Sequence, residues 1–563
     1  MKVIIVGGVA GGATAAARIR RLDEHAEITV FERSGYISYA NCGLPYYIGD
    51  VITDPEELTL QTPESFFKRF RINMKIHHEV ISIHPERKTV SVKNLENGEI
   101  FEENYDKLIL SPGAKPTQPR LPGVGMDKLF TLRTVEDTFR IKEYINKNHP
   151  KSAVLAGGGF IGLELAENLR ELGMDVTIVQ RPKQLMNPFD PDMASMIHNE
   201  MRKHGIKLVL GYTVEGFKEK DNGVEVLLKD NPSLQADMVV LAIGVTPDTA
   251  LAKEAGLELG IKGSIVVNDR METSVLDIYA AGDAVQVKHY VTGDDALISL
   301  AGPANKQGRI IADNICGGDS RYLGSQGSSV IKVFDMTAAT TGINETNAKK
   351  SGLDVDTVIL SPMSHAGYYP GGKVMTMKVV FEKETYRLLG AQIIGYEGVD
   401  KRIDVLATAI HAGLKATQLK DLDLAYAPPY SSAKDPVNMA GFMIDNIAKG
   451  TLKQWHLEDM DKISKDKSVV LLDVRTVGEF NRGHMDGFRN IPVDELRERI
   501  NEIEKGKPVY LICQSGLRSY IASRILEGNG YETYNFSGGF RFYDAVVNDR
   551  ALIERAYACG MDY

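Results

Sequence analysis

Cysteine is scarce in this chain of 563 residues, with only four, at positions 42, 316, 513 and 559. They form no C-x-x-C pair and have no metal-ligand spacing with the 12 histidines, so a disulfide scaffold and a metal site are not expected. In a reducing compartment an isolated thiol is either a buried small hydrophobic group or a reactive one. Cys316 has no supporting motif and is assigned to the first kind, and Cys559 lacks the neighbouring thiol that a mobile redox tail would use.

Long apolar runs and an excess of basic charge are also missing. No apolar run reaches the roughly 18 residues of a membrane span, and a formal net charge of −9 argues against binding to nucleic acid or to a membrane surface. Residues 1–6 lead directly into glycines as a buried strand does, which leaves no room for a signal peptide, so a cytoplasmic protein is predicted. The length exceeds what one hydrophobic core usually organises, and several domains are expected.

The N-terminal segment has the pattern of a dinucleotide-binding unit. An apolar strand, a glycine turn, an alanine-rich helix and a second strand are predicted at residues 3–6, 7–12, 13–22 and 28–31. Glycines let the backbone approach a pyrophosphate at the helix N-terminus, and Glu32 at the end of the second strand suits a ribose hydroxyl. Val9 replaces the central glycine of the usual G-x-G-x-x-G fingerprint.

A second copy of this pattern carries the complete fingerprint. Its strand, glycine turn, helix and second strand are predicted at residues 153–156, 157–162, 163–172 and 176–179. The second strand ends at Gln180 and Arg181, so the carboxylate that favours NAD is missing and Arg181 could meet a 2′-phosphate. The sequence therefore predicts two nucleotide sites and leaves NADH against NADPH open.

The order of the two fingerprints and three later motifs resembles the flavoprotein pyridine nucleotide-disulfide reductases over residues 1–447. The later motifs lie at residues 108–113, 240–244 and 278–283. The resemblance implies an α/β fold with two Rossmann-like domains, one for FAD and one for NADH or NADPH, followed by an α+β dimerisation domain. The domains it implies are 1–120 with 250–325 for FAD, 121–249 for NAD(P) and 326–447 for dimerisation, so a homodimer is expected.

The same resemblance implies which residues hold the cofactors. Asp283 matches the acid that bonds the ribityl chain of the flavin. Cofactor contacts are implied in and beside the glycine turns and the later motifs, at Gly7, Gly8, Ala10, Gly11, Gly12, Glu32, Arg33, Ser111, Pro112, Gly113, Gly157, Gly159, Phe160, Ile161, Gly162, Gln180, Gly244, Gly282, Asp283 and Ala301.

Cys42 stands alone where glutathione and lipoamide reductases carry a C-x-x-x-x-C pair, because Tyr46 and Tyr47 occupy the positions of a partner. An internal disulfide cycle is therefore excluded. A lone redox cysteine stores its oxidised state as a sulfenic acid, or as a mixed disulfide or persulfide with the substrate. Peroxide-reducing relatives place a histidine at the position of Ala10, so the mixed-disulfide route is favoured here.

The residues around Cys42 and two late segments, 365–371 and 426–434, resemble coenzyme A-disulfide reductases. In that subfamily Tyr368 and Tyr426 would reach from the second subunit towards Cys42, where a phenol could donate a hydrogen bond or a proton to a leaving thiolate. Packing in a dimer core is the other common use of such tyrosines. The positions that match coenzyme A contacts are Thr14, Arg18, Arg21, Ser38, Asn41, Arg71, Asn305 and Lys434. Cations suit the phosphates of that ligand, although the arginines could also form a solvated surface.

The C-terminal part of the chain resembles a single rhodanese domain. A polar link is predicted over residues 448–463, and a new strand begins near Ser468. The motifs that carry the resemblance lie at residues 473–475, 479–487, 490–492 and 509–513. An α/β rhodanese domain is therefore expected over residues 464–563.

Cys513 ends a predicted strand and opens a short loop that leads into a helix predicted over 519–527. The backbone N–H groups of such a loop, the helix N-terminus and Arg518 would surround and stabilise a negatively charged sulfur. Phosphatases cradle phosphate in the same type of loop but require an additional general acid. A decayed domain used only for docking would not need Cys513 and Arg518 together.

The two cysteine sites predict an enzyme that reduces sulfane sulfur with NADH or NADPH. Cys42 would form a mixed disulfide or persulfide with coenzyme A persulfide, polysulfide or coenzyme A disulfide, and hydrosulfide and a thiol would be released. Cys513 would take sulfane sulfur from a donor and pass it on, helped by the effective concentration that a fused domain provides. Two rival functions are a coenzyme A-disulfide reductase or NAD(P)H oxidase with an incidental rhodanese domain, and a carrier that delivers persulfide to a partner protein.

Overall fold

The computed structural model of the protein describes residues 1–220 and 223–559, with side chains described through residue 555. The chain forms two compact bodies, and the first contains Met1–Pro182 and Ile206–Gly327. The second contains Lys183–Gly205 and the chain from Ser328 onward. The side chain of Cys559 lies outside the described part.

A parallel sheet of five strands forms the centre of the first nucleotide-binding unit. Its strands, in spatial order, are Ile278–Ala280 (β20), Lys107–Leu110 (β9), Lys2–Val6 (β1), Glu27–Phe31 (β2) and Asn73–Lys75 (β5). Val3, Ile4 and Ile5 in the central strand have no solvent exposure, as expected for a parallel sheet that is covered on both faces. The carboxyl ends of β1, β2 and β9 meet at the first glycine turn.

The second parallel sheet of the first body repeats this arrangement. Its strands, in spatial order, are Leu129–Thr131 (β11), Met238–Leu241 (β18), Ser152–Ala156 (β12), Asp175–Gln180 (β13) and Lys207–Leu210 (β14). The central strand β12 is followed by the second glycine turn, where Gly157 N–H donates to Val179 O at 2.9 Å. The same turn chemistry therefore occurs at the same edge of both sheets.

Small antiparallel sheets complete the strands of the first body. They are formed by Ile37–Tyr39 (β3) and Thr59–Gln61 (β4); His78–His84 (β6), Thr89–Asn94 (β7) and Ile100–Asn104 (β8); Ala114–Pro116 (β10) and Val245–Pro247 (β19); Val214–Lys220 (β15), Gly223–Leu228 (β16) and Asn231–Ala236 (β17); and Val287–Lys288 (β21) and Asp295–Ala296 (β22). The helices are Ala10–Leu22 (α1), Leu44–Ile48 (α2), Pro63–Phe70 (α3), Val135–Asn148 (α4), Phe160–Glu171 (α5), Ala250–Glu254 (α7) and Ala301–Ile315 (α8). Helix α1 packs against α8, and α2 packs against α5.

The second body contains one antiparallel and one parallel sheet. The antiparallel strands, in spatial order, are Ser329–Val333 (β23), Met336–Gly342 (β24), Leu388–Gly395 (β27), Met375–Glu382 (β26) and Val355–Leu360 (β25). The parallel strands are Gln454–Trp455 (β28), Thr533–Phe536 (β32), Val509–Ile512 (β31), Val470–Asp473 (β29) and Arg489–Asn490 (β30). The helices are Pro191–Lys203 (α6), Glu345–Lys350 (α9), Val399–His411 (α10), Pro436–Ala448 (α11), Met460–Ile463 (α12), Val477–Arg482 (α13), Leu517–Glu527 (α14) and Gly539–Cys559 (α15).

Strand β25 is the edge of the antiparallel sheet, and residues of the C-terminal domain cover that edge. Ile359 N–H donates to Ser537 Oγ at 3.0 Å, and Gln454 Nε2 donates to Thr357 O at 3.2 Å. His456 Nε2 lies 3.1 Å from Asp356 Oδ1, and this carboxylate raises the pKa of His456 against the opposing effect of burial. Backbone groups that would otherwise be open to another strand are thus satisfied by side chains of the same chain.

Helix α15 is fixed to α6 through a buried carboxylate. Asp549 Oδ2 accepts from His198 Nδ1 at 2.8 Å, and Asp549 also pairs with Arg202 at 2.5 Å. Only 1% of His198 is exposed, and its Nε2 lies 2.9 Å from the donating N–H of Leu185, so the ring nitrogen that faces Asp549 carries the proton. The contact joins the C-terminal domain to α6, a helix that lies within the predicted NAD(P)-binding domain, residues 121–249.

The main predicted elements are present, and their boundaries differ by a few residues. The helices predicted from 13, 163 and 519 begin at Ala10, Phe160 and Leu517. In the first two, the last glycines of the turn already belong to the first helical turn, and the third begins directly after Gly516. Strand β28 lies inside the segment 448–463 that the sequence predicts to be a link. Trp455 in this strand is 2% exposed and donates from Nε1 to Leu511 O at 3.2 Å, so it is a core residue of the parallel sheet.

Candidate active site

A cavity of about 790 Å³ lies at the carboxyl ends of the strands of the first sheet. This volume is within the range of roughly 300 to 1,000 Å³ typical of ligand sites. Predicted cofactor residues that line it are Gly7, Glu32, Arg33, Ser111, Pro112 and Gly113. Gly7 has a φ of +97°, and a Cβ atom there would come within 2.1 Å of Ser111 O. A side chain at this position would therefore disrupt the turn that shapes the cavity.

Glu32 and Gln180 occupy equivalent positions at the two glycine turns. Glu32 Oε2 accepts from the N–H of Gly8 at 2.9 Å, and Gln180 Oε1 accepts from the N–H of Gly158 at 3.0 Å. At the second turn Gly157 has a φ of +120°, and a Cβ there would lie 2.2 Å from Ala242 O. The amide of Gln180 keeps the turn hydrogen bond without the negative charge that would repel a 2′-phosphate, so the second site is compatible with both pyridine nucleotides.

Two polar features of the first cavity fit a nucleotide ligand. Asn41 lines the cavity, and its Oδ1 is buried without a hydrogen-bond partner among the described residues. Arg133, another residue of the wall, donates from Nη2 to Asp283 Oδ2 at 2.6 Å. A buried acceptor without a partner and a charged pair at the wall suit a ligand rich in hydroxyl and phosphate groups. The residues present therefore fit FAD.

The other predicted cofactor residues surround the two turns. Gly282 N–H donates to Gln307 Oε1 at 2.7 Å, and Arg33 pairs with Asp248 at 2.8 Å. Residues at the N-termini of α1, α5 and α8 are Ala10, Gly11 and Gly12; Gly159, Phe160, Ile161 and Gly162; and Ala301. Gly244 directly precedes β19 and has a φ of +107°.

The residues predicted to contact coenzyme A lie in both bodies. Thr14 Oγ1 donates to Asn305 Oδ1 at 2.8 Å, and Arg18 Nε pairs with Asp313 at 2.8 Å, so the packing of α1 against α8 brings part of the set together. Arg71 has a φ of +51° at the end of α3. Further members of the first body are Arg21, Ser38 and Asn41, whereas Lys434 belongs to the second body.

Cys42 lies in a short turn before α2, and its side chain is exposed. Partial burial and the charge of Glu164 raise the pKa of its thiol, Arg133 lowers this pKa, and Asp283 raises it. Burial and the nearby Glu167 raise the pKa of Glu164 itself to about 7. No sequence pattern selects Glu164 or Arg133, because each becomes relevant only when α5 or the segment after β11 is placed beside the cysteine.

The substitution Glu164→Gln is expected to lower the pKa of the Cys42 thiol, because it removes a negative charge that opposes the thiolate. Below pH 7 the two proteins should behave alike, since Glu164 is then protonated, and the difference should grow above pH 7. The rate of alkylation of Cys42 by iodoacetamide, measured against pH, reports this pKa. Glu171→Gln, at the exposed end of the same helix, is the matched control. An unchanged or higher pKa in Glu164→Gln would contradict the assignment.

Tyr368 and Tyr426 are brought together in the second body. Their hydroxyl oxygens are 2.6 Å apart, and the side chains are 75% and 45% exposed. The hydrogen bond with Tyr368 and partial burial raise the pKa of Tyr426. The pair thus presents an accessible, protonated phenol at neutral pH.

Arg402 holds the two loops that carry these tyrosines. It is 1% exposed, and its Nη2 donates to Ser364 O at 3.0 Å and to Asp435 Oδ2 at 2.9 Å. Ser431 Oγ also donates to Asp435 at 2.7 Å. One buried guanidinium therefore joins the segment before Tyr368 to the segment after Tyr426, a role that the sequence alone did not indicate.

Cys513 lies at the end of β31 with 1% exposure, and its sulfur accepts two hydrogen bonds. The donors are Gly516 N–H at 3.1 Å and Ser519 Oγ at 3.1 Å. The predicted cradle is therefore formed by one backbone and one side-chain donor at the N-terminus of α14. Both contacts favour a negatively charged sulfur.

Arg518 makes a bidentate pair with Glu479 of α13, at 2.8 Å and 2.7 Å. This hydrogen bond and charge lower the pKa of Glu479 to about 2. Thr476 caps α13 and also donates to Glu479 at 2.8 Å. Arg518 is thus held in a fixed position beside the Cys513 loop, and Glu479 joins the predicted residues of this site.

Three parts of the chain match the sequence patterns of known protein families. Residues 1–308 match pyridine nucleotide-disulphide oxidoreductases, residues 328–436 match the dimerisation domain of the same enzymes, and residues 456–545 match the rhodanese-like domain. The chain belongs to the pyridine nucleotide-disulphide oxidoreductase family and carries a rhodanese-like domain at its C-terminal end.

Individual relatives refine this class. A coenzyme A disulfide reductase of Staphylococcus aureus is 39% identical over 443 residues, which cover 78% of this chain and 99% of the relative. The crystal structure of reduced CoADR-RHD from Bacillus anthracis is 48% identical, with a TM-score of 0.95 over 98% of both chains. A NAD-dependent persulfide reductase from A. fulgidus is 39% identical, with a TM-score of 0.90 over 96% of this chain and 100% of the relative.

These likenesses confirm the predicted fold class, the class of enzyme and the resemblance to coenzyme A-disulfide reductases with a rhodanese domain. FAD and a pyridine nucleotide, as predicted, are the cofactors of this family. The domain boundaries and the roles of single site residues stay predictions. Within the described part of the chain, no helix has the length and apolar character needed to cross a membrane.

Proposed function

We propose that the protein is an FAD-dependent NAD(P)H reductase of sulfane sulfur, acting on coenzyme A persulfide, polysulfide or coenzyme A disulfide. Cys42 is the redox nucleophile, and Cys513 relays persulfide sulfur to it through a small thiol. The observation that carries the proposal is the presence in one chain of two different sulfur sites: an exposed thiol, Cys42, close enough to Glu164, Arg133 and Asp283 for their charges to shift its pKa, and a second sulfur held by two hydrogen-bond donors. The similarity to a coenzyme A disulfide reductase and to a NAD-dependent persulfide reductase supports both halves of this activity.

The chemistry at Cys42 is a thiol exchange. Its thiolate attacks the inner sulfur of R–S–SH, forms a Cys42–S–S–R bond and releases hydrosulfide, or attacks the outer sulfur and releases R–S⁻. With coenzyme A disulfide, the first attack releases one thiolate of the same kind. When bound, FAD and the reduced nicotinamide supply the electron pair that splits the new S–S bond.

The residues of the chain hold the reactants and the protons. Glu32 and Gln180 orient the two glycine turns, and Asp283 and Arg133 present a charged pair to the flavin site. In the proposed homodimer, Tyr426 of the partner subunit donates a hydrogen bond to the departing thiolate or hydrosulfide, and Tyr368 orients it. The match to the dimerisation domain supports this assembly.

Comparing substrates tests the proposal. We expect kcat/KM for NAD(P)H oxidation with coenzyme A persulfide to exceed that with coenzyme A disulfide and that with oxygen by at least about tenfold, with one hydrosulfide released per nucleotide oxidised. A single-turnover experiment in which the reduced enzyme is mixed with each substrate gives the rate of flavin reoxidation. Preference for coenzyme A disulfide or oxygen would favour the rival reductase or oxidase, and the absence of steady-state turnover with every small substrate would favour a persulfide carrier.

A further inference from the structure

The C-terminal domain contains a second concave site, formed by α14 and the segment before β31. Its volume is about 510 Å³, and it is lined by Arg497, Ile500, Tyr520, Ile521, Arg524, Ile525 and Asn529. Two guanidinium groups, one aromatic ring and three isoleucines therefore share one surface. This combination differs from the predominantly negative charge of the chain as a whole.

An apolar track connects this surface to the Cys513 loop. Leu517, Ile521 and Ile525 follow one another at i, i+4 and i+8 along α14, so they lie on one helix face. Leu517 is 66% exposed and Ile521 is 43% exposed, so two large apolar side chains of this helix face solvent. The track begins at the helix end that holds Cys513 Sγ and extends for about 12 Å along the helix axis.

The charged end of the track has unused donors. Arg497 is exposed and makes no ion pair or hydrogen bond within the described residues. Arg524 donates to Thr451 O at 3.0 Å and contacts Glu527 through the same Nη1 atom, so its Nε and Nη2 groups have no hydrogen-bond partner among the residues that the structure describes. Planar guanidinium groups match phosphate geometry, and an aromatic ring such as that of Tyr520 can stack on a purine.

We infer that this surface is a binding site for a thiol carried on a phosphorylated nucleotide through a flexible arm, which is the chemistry of coenzyme A. The phosphates contact Arg497 and Arg524, the base lies on Tyr520, and the arm follows Ile521 and Leu517 to Cys513. The site rests on the proposed relay and deepens it, because it assigns coenzyme A as the direct sulfur acceptor of the rhodanese domain.

The transfer at this site balances without an oxidant. The thiolate R–S⁻ attacks the outer sulfur of Cys513–S–SH, the Cys513 S–S bond breaks, and R–S–SH and Cys513–S⁻ are formed. The hydrogen bonds from Gly516 and Ser519 stabilise the departing Cys513 thiolate. The product is the persulfide that Cys42 is proposed to reduce.

The test uses the full chain with the Cys42→Ser substitution, so that reduction cannot contribute. Thiosulfate loads Cys513, and sulfite release is measured with coenzyme A or pantetheine as acceptor. We expect kcat/KM to be about 10 to 100 times higher for coenzyme A, since charge-assisted hydrogen bonds to its phosphates are absent with pantetheine. The double substitution Arg497→Glu, Arg524→Glu should reduce this ratio to about one, and added salt should lower it in the parent protein.

Arg499→Glu is the matched control, because Arg499 is a nearby arginine that pairs with Glu495 and Glu502 and does not line the site. It should leave the ratio unchanged. Equal kcat/KM values for both acceptors in the parent protein, or an equal loss for both acceptors in the charge-reversed variant, would overturn the inference. A different result would contradict the proposed reductase activity: no hydrosulfide release from coenzyme A persulfide by the protein with Cys42 intact.

Discussion

Cys42→Ser is expected to abolish NAD(P)H-driven hydrosulfide release from polysulfide and from coenzyme A persulfide, with a loss of at least ~10³-fold in kcat. A serine hydroxyl is not ionised at neutral pH and is a poor nucleophile towards sulfane sulfur, and without a sulfur atom serine cannot form the S–S bond that the flavin would reduce. The exposed position of Cys42 lets a substrate reach the sulfur, whereas the other two cysteines with described side chains, Cys316 and Cys513, are half-buried and buried. The loss should therefore not be compensated by a neighbouring thiol.

Hydrosulfide release and nucleotide oxidation are measured together for this variant. The amount of bound FAD, read from the flavin absorbance, should equal that of the parent protein, which separates lost chemistry from lost folding. Cys316→Ser is the control, because Cys316 is a half-buried residue at the end of α8. Hydrosulfide release at the parental rate by Cys42→Ser would refute the proposed nucleophile.

Cys513→Ser is expected to lower thiosulfate:coenzyme A sulfur transfer by at least ~10³-fold while leaving the reduction of preformed coenzyme A persulfide intact. The sulfur atom that carries the persulfide is lost, and the proposed chemistry at Cys42 needs no residue of α14. The two cysteine variants should therefore show opposite defects. A parallel loss of both activities in Cys513→Ser would mean that the two sites do not act as separate steps.

Ser519 provides a graded version of this experiment. Ser519→Ala removes one of the two donors to the sulfur and should slow transfer by about 10 to 100 times, as expected for a hydrogen bond to a charged group. Ser519→Thr keeps the hydroxyl and should retain most of the rate. Equal defects in the alanine and threonine variants would point to packing, since Ser519 is fully buried.

Local patterns were sufficient for the parts of the fold that depend on nearby residues. The structure contains the two predicted units of strand, glycine turn and helix, and it contains the strand before Cys513 and the loop after it. Each of these depends on glycines and apolar runs that lie within about 30 residues of one another in the chain. Gln180 illustrates the limit of this reasoning. The sequence pattern predicts its position at the end of the second strand, whereas its hydrogen bond to Gly158 follows only from the folded turn.

The groups that tune the site could not be read from the sequence, because they come from distant segments. Glu164 affects Cys42 only through the packing of α2 on α5, and Arg402 joins loops on either side of it in the chain. Glu479 is separated from Arg518 by 39 positions and carries no signal of its own. Trp455 looked like part of a polar link because its neighbours are polar, and a two-residue strand is too short to show alternation.

The covered edge of β25 makes the C-terminal domain a permanent shield for the sheet that precedes it. A polypeptide that ended after α11 would leave the N–H of Ile359 and the carbonyl of Thr357 unpaired. This edge could then pair with a strand of another molecule, and we expect such a polypeptide to aggregate unless the edge is protected in another way. During synthesis the same edge stays uncovered until the last domain leaves the ribosome. Evolutionary loss of the sulfur-carrying cysteine would thus be tolerated by the architecture, whereas loss of the whole domain would require a new way to protect that strand.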